Sequence, residues 1–545
     1  MQQLPGRAEL LEALRQRFGH ASFRPGQERI VRALLGGRDV LAILPTGAGK
    51  SLVYQLSSQL LPGVTLVVSP LLALMKDQVE SLHARGLRVG VINSAQPATE
   101  AHQALGATLR GETKLLYVTP ERFDDPEFMA QARRLEVSLL VVDEAHSISE
   151  WGHSFRPSYL TLPVAIAQLG RPALLALTAT ATPWVRDDII TRLGLREPEV
   201  VVQGTDRPNL FLEVVRVEEE REDRRVLQEV LGRPDEVMQG SGIIYAATTR
   251  AATETAGWLG EWGIAAEVYH GRRRKRDRER AQEAFMSGQV RVIAATNAFG
   301  LGVDKPDVRF VIHRDIPGSL EAYYQEAGRA GRDGAPAHCT LIYRPGDLGQ
   351  AAFLAGGGEL TREEVVRARP GLVRTGGGTL RELEAACGLG RADLARLVDL
   401  LVEQGLAEQR RGRVRLRVAD FDPDQVPLER EAHRRAYERS RLEMMRAYAE
   451  LRDCRRRYLL NYFGEEPEWQ RCGRCDIDTQ ASSMAEAPAR ESPYAVHERV
   501  VHPSLGEGVV QRVAGDTVTV LFEQAGYKTL GLEVVEEQDL LRKKS

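Results

Sequence analysis

Cysteine is scarce in this sequence: five in 545 residues, unevenly spread. That is too few for a disulfide framework and points to a reducing compartment. Long apolar runs are missing as well, so no transmembrane helix and no membrane partner are expected. The opening stretch MQQLPGRAELLEALRQRFG lacks the apolar core of a secretory signal, and a cytoplasmic location is the expectation. Net charge is nearly absent too, at −3, which on its own argues for no nucleic-acid partner. That average conceals two basic clusters, GRRRKRDRER (Gly271–Arg280) and RRGRVRLR (Arg410–Arg417). Arginine outnumbers lysine throughout, a bias better explained by base composition than by recognition. No repeat of solenoid type is present.

What is there needs more than one core, because 545 residues exceed what a single core organises. Hydrophobic content of 43% and charged content of 27% are ordinary for a globular protein. Up to about residue 200, short runs apolar on both faces (DVLAIL, VTLVVSP, KLLYVTP, VSLLVVDEA, ALLALTAT) alternate with helical patterns. That alternation is the mark of a parallel sheet covered on two sides. It restarts at SGIIYAATT and runs through AAEVYH, VRVIAATNAF, VRFVIHRDI and CTLIYRP. The expected class is therefore α/β, with two consecutive parallel-sheet domains, 1–204 and 205–346, and a crevice between them. Beyond GGGEL, the segment TLRELEAACGLGRADLARLVDLLVEQGLAEQRRGRVRLRV reads as two short helices and a β-wing turning at Gly412. This gives a winged-helix-like domain at 355–420. A charged helical stretch lies in 425–480, a Ser/Ala/Pro/Glu linker unable to bury a core in 481–495, and a β-rich segment in 496–545.

LPTGAGKS (Leu44–Ser51) follows the strand DVLAIL and precedes a helical run, which is the context a phosphate cradle requires. Thr46, Gly47, Ala48 and Gly49 form the loop, whose backbone N–H groups converge on phosphate oxygens at a helix N-terminus. Lys50 adds a positive charge, and the Ser51 hydroxyl is a Mg²⁺ ligand. The full phosphate-loop pattern has glycine where this chain has Leu44. Asp143 ends a second buried strand and is placed to share the Mg²⁺, with Glu144 beside it to orient the attacking water. YYQEAGRAGRDG (Tyr323–Gly334) puts Arg329 and Arg332 three residues apart, so they are expected to share one face of a helix. From the second domain they would neutralise charge growing on a γ-phosphate. The expected reaction is nucleotide hydrolysis.

In VVDEAHSISEWGHSFRPSY (Val141–Tyr159), the acidic pair is followed at once by Trp151, His153, Phe155, Arg156 and Tyr159. Large aromatics in a polar stretch broken by Gly152 and Pro157 suggest a surface on which something flat lands. Taken with FRPGQ, PTGAGKS, SPLLALMKDQV, YVTPERF, LTATAT, ATNAFGLGVDKPDV and QEAGRAGRDG, this segment resembles the RecQ family of superfamily 2 DNA helicases. The resemblance covers nearly all of residues 1–345. It implies two RecA-like domains and ATP-dependent 3′→5′ unwinding in DNA repair or recombination. It implies that Trp151, Phe155 and Arg156 sense single-stranded DNA, that Ser69 and Thr119 touch its backbone, and that Arg24 and Gln27 read the adenine. Thr178 and Thr180 would link hydrolysis to movement. Gly302 and Asp304 would meet ATP from the second domain, and Gln325 would join Arg329 and Arg332 in the catalytic set.

The same resemblance extends to YAELRDCRRRYLLNYFGEE and RCGRCDID, which are similar to the RecQ zinc-binding helical platform. Cys454, Cys472 and Cys475 supply three ligands, and Asp478 stands where the family usually has a fourth cysteine. A Cys₃Asp zinc site is plausible chemistry, and a metal-free platform is the other reading. The winged-helix-like stretch precedes this platform, whereas the usual RecQ order puts it after. The tail VVHPSLGEGVVQRVAGDTVTVLFEQAGYKTLGLE, with Pro503, Gly506 and Gly508, resembles the small Tudor- or SH3-like barrel that ends UvrD/PcrA-type helicases. That likeness implies a protein partner, RNA polymerase or a repair factor. The partners expected overall are single-stranded and forked duplex DNA, for a monomer in a bacterial cytoplasm associated with the nucleoid.

Overall fold

A computed structural model of the chain describes residues 5–544 apart from 46, 71, 94–95, 152–154, 301–304, 348, 350–359, 411, 481–491, 497, 515 and 524. Its contacts divide it into two units, one of residues 1–345 with 447–489 and another of 346–446 with 490–545.

The first unit holds two parallel sheets. Strands β1 (Val40–Ile43), β2 (Val64–Val68), β3 (Val89–Ile92), β4 (Leu115–Val118), β5 (Val137–Val142), β6 (Ala173–Thr178) and β7 (Glu199–Val202) pair in the order β3-β4-β2-β5-β6-β1-β7. Every pairing is parallel. Alternating side chains feed two separate cores, which is why the central strands carry no polar face. Leu140 and Val142 of β5 enter one, with Leu174 and Ala176 of β6. Leu139 and Val141 enter the other, with Leu175 and Leu177. The second sheet runs β10 (Ala266–Tyr269), β11 (Val292–Ala295), β9 (Ser241–Tyr245), β12 (Val308–His313), β13 (Ala337–Tyr343), β8 (Leu210–Arg216), again all parallel. In sheets of this kind the carboxyl ends of the strands open onto the ligand crevice. Asp143, Ser69, Thr119, Thr178 and the loop after β1 all lie at those ends.

Edge strand β8 is not left bare. Leu212 pairs with Cys475 in a short parallel bridge, and the Val214 N–H donates to Asp476 at 3.0 Å. The cysteine-bearing segment thus covers a row of backbone groups that would otherwise invite another strand.

In the second unit, helices Arg362–Thr375, Leu380–Cys387 and Arg391–Glu403 pack against strands β14 (Gly377–Thr379), β15 (Ala407–Arg410) and β16 (Arg413–Leu416), ordered β14-β16-β15. This is a winged-helix arrangement, with one helix and one short strand more than the sequence pattern reveals. Thr361 with Glu364 and Thr379 with Glu382 close capping boxes that start two of its helices. Strands β17 (Arg499–His502), β18 (Gly506–Ala514), β19 (Thr517–Phe522), β20 (Gly526–Gly531) and β21 (Arg542–Lys543) form an antiparallel sheet ordered β20-β19-β18-β17-β21. Tyr527 stacks on Tyr437 of helix Leu428–Ala449, centroids 6.0 Å apart. Gly526 (φ +68°) permits that approach, since a Cβ there would lie 2.3 Å from Ser440 Oγ. The helical residues up to 446 therefore group with the C-terminal strands, and only 447–489 group with the parallel-sheet unit. The stretch 425–480, expected as one domain, is divided. Among the described residues no helix is long and apolar enough to cross a membrane.

Candidate nucleotide site, aromatic segment and cysteine cluster

Gly49 caps helix Lys50–Leu60 with φ +74°, and Gly47 has φ +87°. Both are left-handed positions that glycine adopts without strain. A side chain at Gly49 would also strike Gln27, whose Nε2 would lie 2.8 Å from the added Cβ. Gln27 is fully buried, and both ends of its amide are engaged. Nε2 donates to the carbonyls of Ala48 (3.0 Å) and Gly49 (3.2 Å), and Oε1 accepts from the Arg24 N–H at 2.9 Å. The Arg24 guanidinium donates to the Gly47 carbonyl. Both residues assigned to adenine are thus brought to the loop, where here they brace its carbonyls. Thr46 lies outside the described residues.

Asp143 is buried at the end of β5. Its Oδ1 accepts from the Glu144 N–H at 3.0 Å, and its Oδ2 lies 3.4 Å from Ser69 Oγ. Burial, then the charge of Glu144, pushes its pKa up to about 7, and the Lys50 ammonium opposes the rise. Hard oxygen donors at Asp143 and Ser51 suit Mg²⁺, and a dication there would hold the carboxylate ionised. Glu144 itself has φ +48° and ψ +46°, a left-handed conformation uncommon for a residue with a Cβ. From that turn Oε2 lies 3.4 Å from His146 Nδ1. His146 Nδ1 is 2.8 Å from Thr178 Oγ1, and Thr178 donates onward to the Thr180 carbonyl at 3.1 Å. With the threonine hydroxyl donating, His146 Nδ1 carries the proton in this contact. His146 thus stands between Glu144 and the end of β6, in contact with the one and hydrogen-bonded to Thr178 of the other.

Two hydrogen bonds tie the aromatic segment to the backbone at and just after the acidic pair. Tyr159, fully buried, donates its hydroxyl to the Asp143 carbonyl at 2.8 Å, and the Arg156 N–H donates to the Ser147 carbonyl at 2.9 Å. Trp151 is half-buried at the edge of the core, edge-on to Trp184 with centroids 6.5 Å apart. Phe155 and Arg156 are half-buried too. Gly152, His153 and Ser154 lie outside the described residues, as do Gly302 and Asp304. Ser69 and Thr119 are each 2% exposed, so neither hydroxyl faces solvent in this conformation.

The arginines depart from expectation. The helix that was to carry both ends at Ala327, and Arg329 and Arg332 follow it in turns. They do not share a helical face, because the helix stops before them and Gly331 (φ +56°) turns the chain between them. Arg329 is buried within its own lobe, its guanidinium packed so closely on Gly300 that a Cβ there would lie 2.6 Å from its nitrogen. Arg332 reaches the first lobe, where its Cβ, Cγ and Cδ lie 3.6–3.8 Å from the position a Gly47 side chain would take. Gln325 lies half-buried in helix Leu320–Ala327, one turn before this bend.

Cys454, Cys472, Cys475 and Asp478 each bring a ligand atom within 4.8 Å of the others. Gly473 (φ +63°) makes the knuckle turn, and Asp478 Oδ2 accepts from the N–H groups of Cys472 (2.6 Å) and Gly473 (3.1 Å). Hydrogen bonds from the Cys454 and Cys472 thiols hold Cys475 far below the usual thiol range. Three soft sulfurs and one carboxylate in a compact set fit a four-coordinate zinc ion. The helix after Cys454 also grips the strand-to-strand connector 203–209. Glu465 accepts from the N–H and hydroxyl of Thr205, and Arg456 pairs with Asp206. The sequence reading assigns nothing to this connector, which has no periodicity and whose contacts exist only once the fold has formed.

Residues 24–188 match the DEAD/DEAH box helicase family, 222–334 the helicase conserved C-terminal domain, and 392–479 the RecQ zinc-binding family. The chain is 38% identical over 482 residues to the probable ATP-dependent DNA helicase RecS of Bacillus subtilis, covering 86% of this chain and 92% of that protein. It is 36% identical over 475 residues to the ATP-dependent DNA helicase RecQ of Pasteurella multocida, covering 87% of this chain and 63% of that one. Among solved structures, Saccharomyces cerevisiae Dbp5 bound to RNA and ADP BeF3 is similar with a TM-score of 0.51. At 20% identity, over 65% of this chain and 93% of that one, this likeness concerns the fold alone.

Proposed function

Since this chain belongs to the RecQ family of superfamily 2 DNA helicases, we propose that it is an ATP-dependent DNA helicase moving 3′→5′ on single-stranded DNA and unwinding forked duplexes during repair or recombination. The observation that carries the reading is the covalent and hydrogen-bonded tie between the aromatic segment and the acidic pair, through Tyr159 to Asp143 and Arg156 to Ser147. Unstacked bases offer π-faces, and stacking on an aromatic ring is worth roughly 1–3 kcal/mol per base without demanding a sequence. Trp151 and Phe155 supply the rings and Arg156 a cation for phosphate. A strand landing there pulls on the turn that sets Glu144.

At the nucleotide, the N–H groups of residues 47–49 and the Lys50 ammonium hold the phosphates, with Arg24 and Gln27 beside them. Ser51 and Asp143 would hold Mg²⁺, which would supply charge neutralisation at the phosphate oxygens. Glu144 orients and polarises the attacking water. Arg332 contributes positive charge from the second lobe, and Gly302, Asp304, Gln325 and Arg329 complete that lobe's side. The His146–Thr178–Thr180 chain carries the state of Glu144 into the strand end, and Ser69 and Thr119 follow the DNA backbone. Duplexes with a 3′ tail are expected to be unwound and those with only a 5′ tail left intact. Preference for the 5′ tail would reverse the proposed direction.

Zinc at Cys454, Cys472, Cys475 and Asp478 would stiffen the segment that covers β8. Protein purified without chelator is expected to carry one zinc per chain, and Asp478→Ala to lose it to a chelator that leaves the unaltered protein loaded. Substoichiometric zinc in the unaltered protein would overturn the zinc site, and equal retention by the variant would remove Asp478 from it. The same reading has the protein work as a monomer at the nucleoid of a bacterial cytoplasm, its C-terminal strands docking RNA polymerase or a repair factor.

A further inference from the structure

The turn that carries the two arginines begins where helix Leu320–Ala327 stops, and a helix end leaves carbonyls without intrahelical partners. The last carbonyls of this helix are taken by the N–H groups of Gly328, Arg329 and Ala330, and the carbonyls of the turn beyond it are met by two side chains of the connector between the lobes. Arg207 donates Nη1 to the Gly328 carbonyl (3.1 Å) and Nη2 to those of Ala330 and Gly331 (2.8 Å each). Asn209 donates Nδ2 to the Gly331 carbonyl (2.8 Å) and to Ala335 (2.9 Å). Gly331 sits so close to this amide that a Cβ would lie 2.4 Å from Asn209 Nδ2, and its φ is +56°. Arg332 is the next residue, so the plane in which its side chain leaves the backbone is set by the peptide that Arg207 and Asn209 hold. On its other side the connector is gripped by Glu465 at Thr205 and Arg456 at Asp206, while the Tyr324 hydroxyl donates to the Thr205 carbonyl.

From this arrangement we infer that Arg207 and Asn209 are positioning residues for Arg332, aiming its guanidinium at the γ-phosphate beside Gly47 without touching nucleotide or DNA themselves. The inference rests on the reading of Arg332 as that cation. It makes the connector more than a tether. The segment that lets the lobes move also carries the template for the arginine that makes closure productive. A displacement of about 1 Å at a charge-stabilising group costs on the order of 100-fold in rate.

The test is a double-mutant cycle on DNA-stimulated ATP hydrolysis, with kcat and KM determined for Arg207→Ala, Arg332→Ala and the double variant, and thermal midpoints recorded. Arg207→Ala is expected to lower kcat about 10–100-fold with KM for ATP within about twofold. In the Arg332→Ala background it is expected to lower kcat no further, because the group it aims is gone. Should Arg207→Ala fail to fold, Asn209→Ala, which removes two contacts, takes its place with the same expected pattern. If Arg332→Ala leaves kcat intact, the reading of Arg332 itself fails. If Arg332→Ala lowers kcat but the connector variant either leaves kcat intact or multiplies with it in full, the positioning role is overturned.

Discussion

Arg332→Ala is expected to lower the rate of DNA-stimulated ATP hydrolysis by about 10³–10⁵-fold, the range over which a cation at the transferring phosphoryl group acts. Binding of ATP should change far less, because the loop glycines and Lys50 are untouched. The expectation comes from placement. Of the two arginines in the turn, Arg332 is the one whose carbon chain runs past Gly47 of the first lobe, while Arg329 is packed on Gly300 of its own. Truncating Arg329 removes an internal contact instead, and its effect should include a lowered thermal midpoint. Arg332→Ala should leave that midpoint nearly unmoved. Titrating a fluorescent nucleotide alongside steady-state hydrolysis separates binding from chemistry. A variant that hydrolyses ATP normally would take Arg332 out of the site.

Glu144→Gln is expected to reduce hydrolysis by about 10²–10⁴-fold, the usual contribution of a positioned base, with nucleotide and DNA binding retained. Glutamine keeps the shape of the side chain but not the charge that polarises a water. The backbone at Glu144 is the reason to expect so much from one atom. A non-glycine residue at φ +48° holds its conformation only because the neighbours insist on it. Here the Glu144 N–H is donated to Asp143, and His146 stands within 3.4 Å of its carboxylate. Burst and steady-state phosphate release, measured with saturating single-stranded DNA, will show whether the loss lies in the chemical step. Loss of ATP affinity in place of turnover would assign Glu144 to the binding of nucleotide.

Much of the fold is legible in the chain because buried strands announce themselves. LLVV within VSLLVVDEA and ALLAL within ALLALTAT are unbroken apolar runs, and the structure shows why: successive residues enter different cores. Strand β7, at the sheet margin, has the pattern half-buried, exposed, buried, half-buried, and β3 at the other margin is only partly buried. Both are short, and neither is the unbroken apolar run, buried on both faces, that marks the central strands. Strand β8 is missed for a related reason, since the neighbour that covers its open edge lies more than 260 residues away.

The site divides along the same line. A phosphate loop, an acidic pair and a cysteine knuckle are local in sequence, so spacing reports them. Contacts made by the fold are not local. The spacing of Arg329 and Arg332 suggests one helical face, but the helix ends at Ala327 and Gly331 turns the chain between them, so the arginines part company. Gln27 reads as an adenine contact by resemblance, yet in this conformation its amide is spent on Ala48, Gly49 and Arg24. Tyr159 could be taken for one more exposed aromatic, and it proves to be the buried link to Asp143.

That link is the core of the account. Trp151 and Phe155 are half-buried, Tyr159 and Arg156 anchor the same segment to the backbone of the acidic turn, and under the proposed function a strand that moves this segment moves the turn. The most direct measurement is the steady-state ATPase rate of the unaltered protein with and without single-stranded DNA, repeated with Trp151→Ala and Phe155→Ala. The account predicts strong stimulation of the unaltered chain and its loss in both variants, with ATP binding unchanged. Equal rates with and without DNA in the unaltered chain, or full stimulation in the variants, would contradict it.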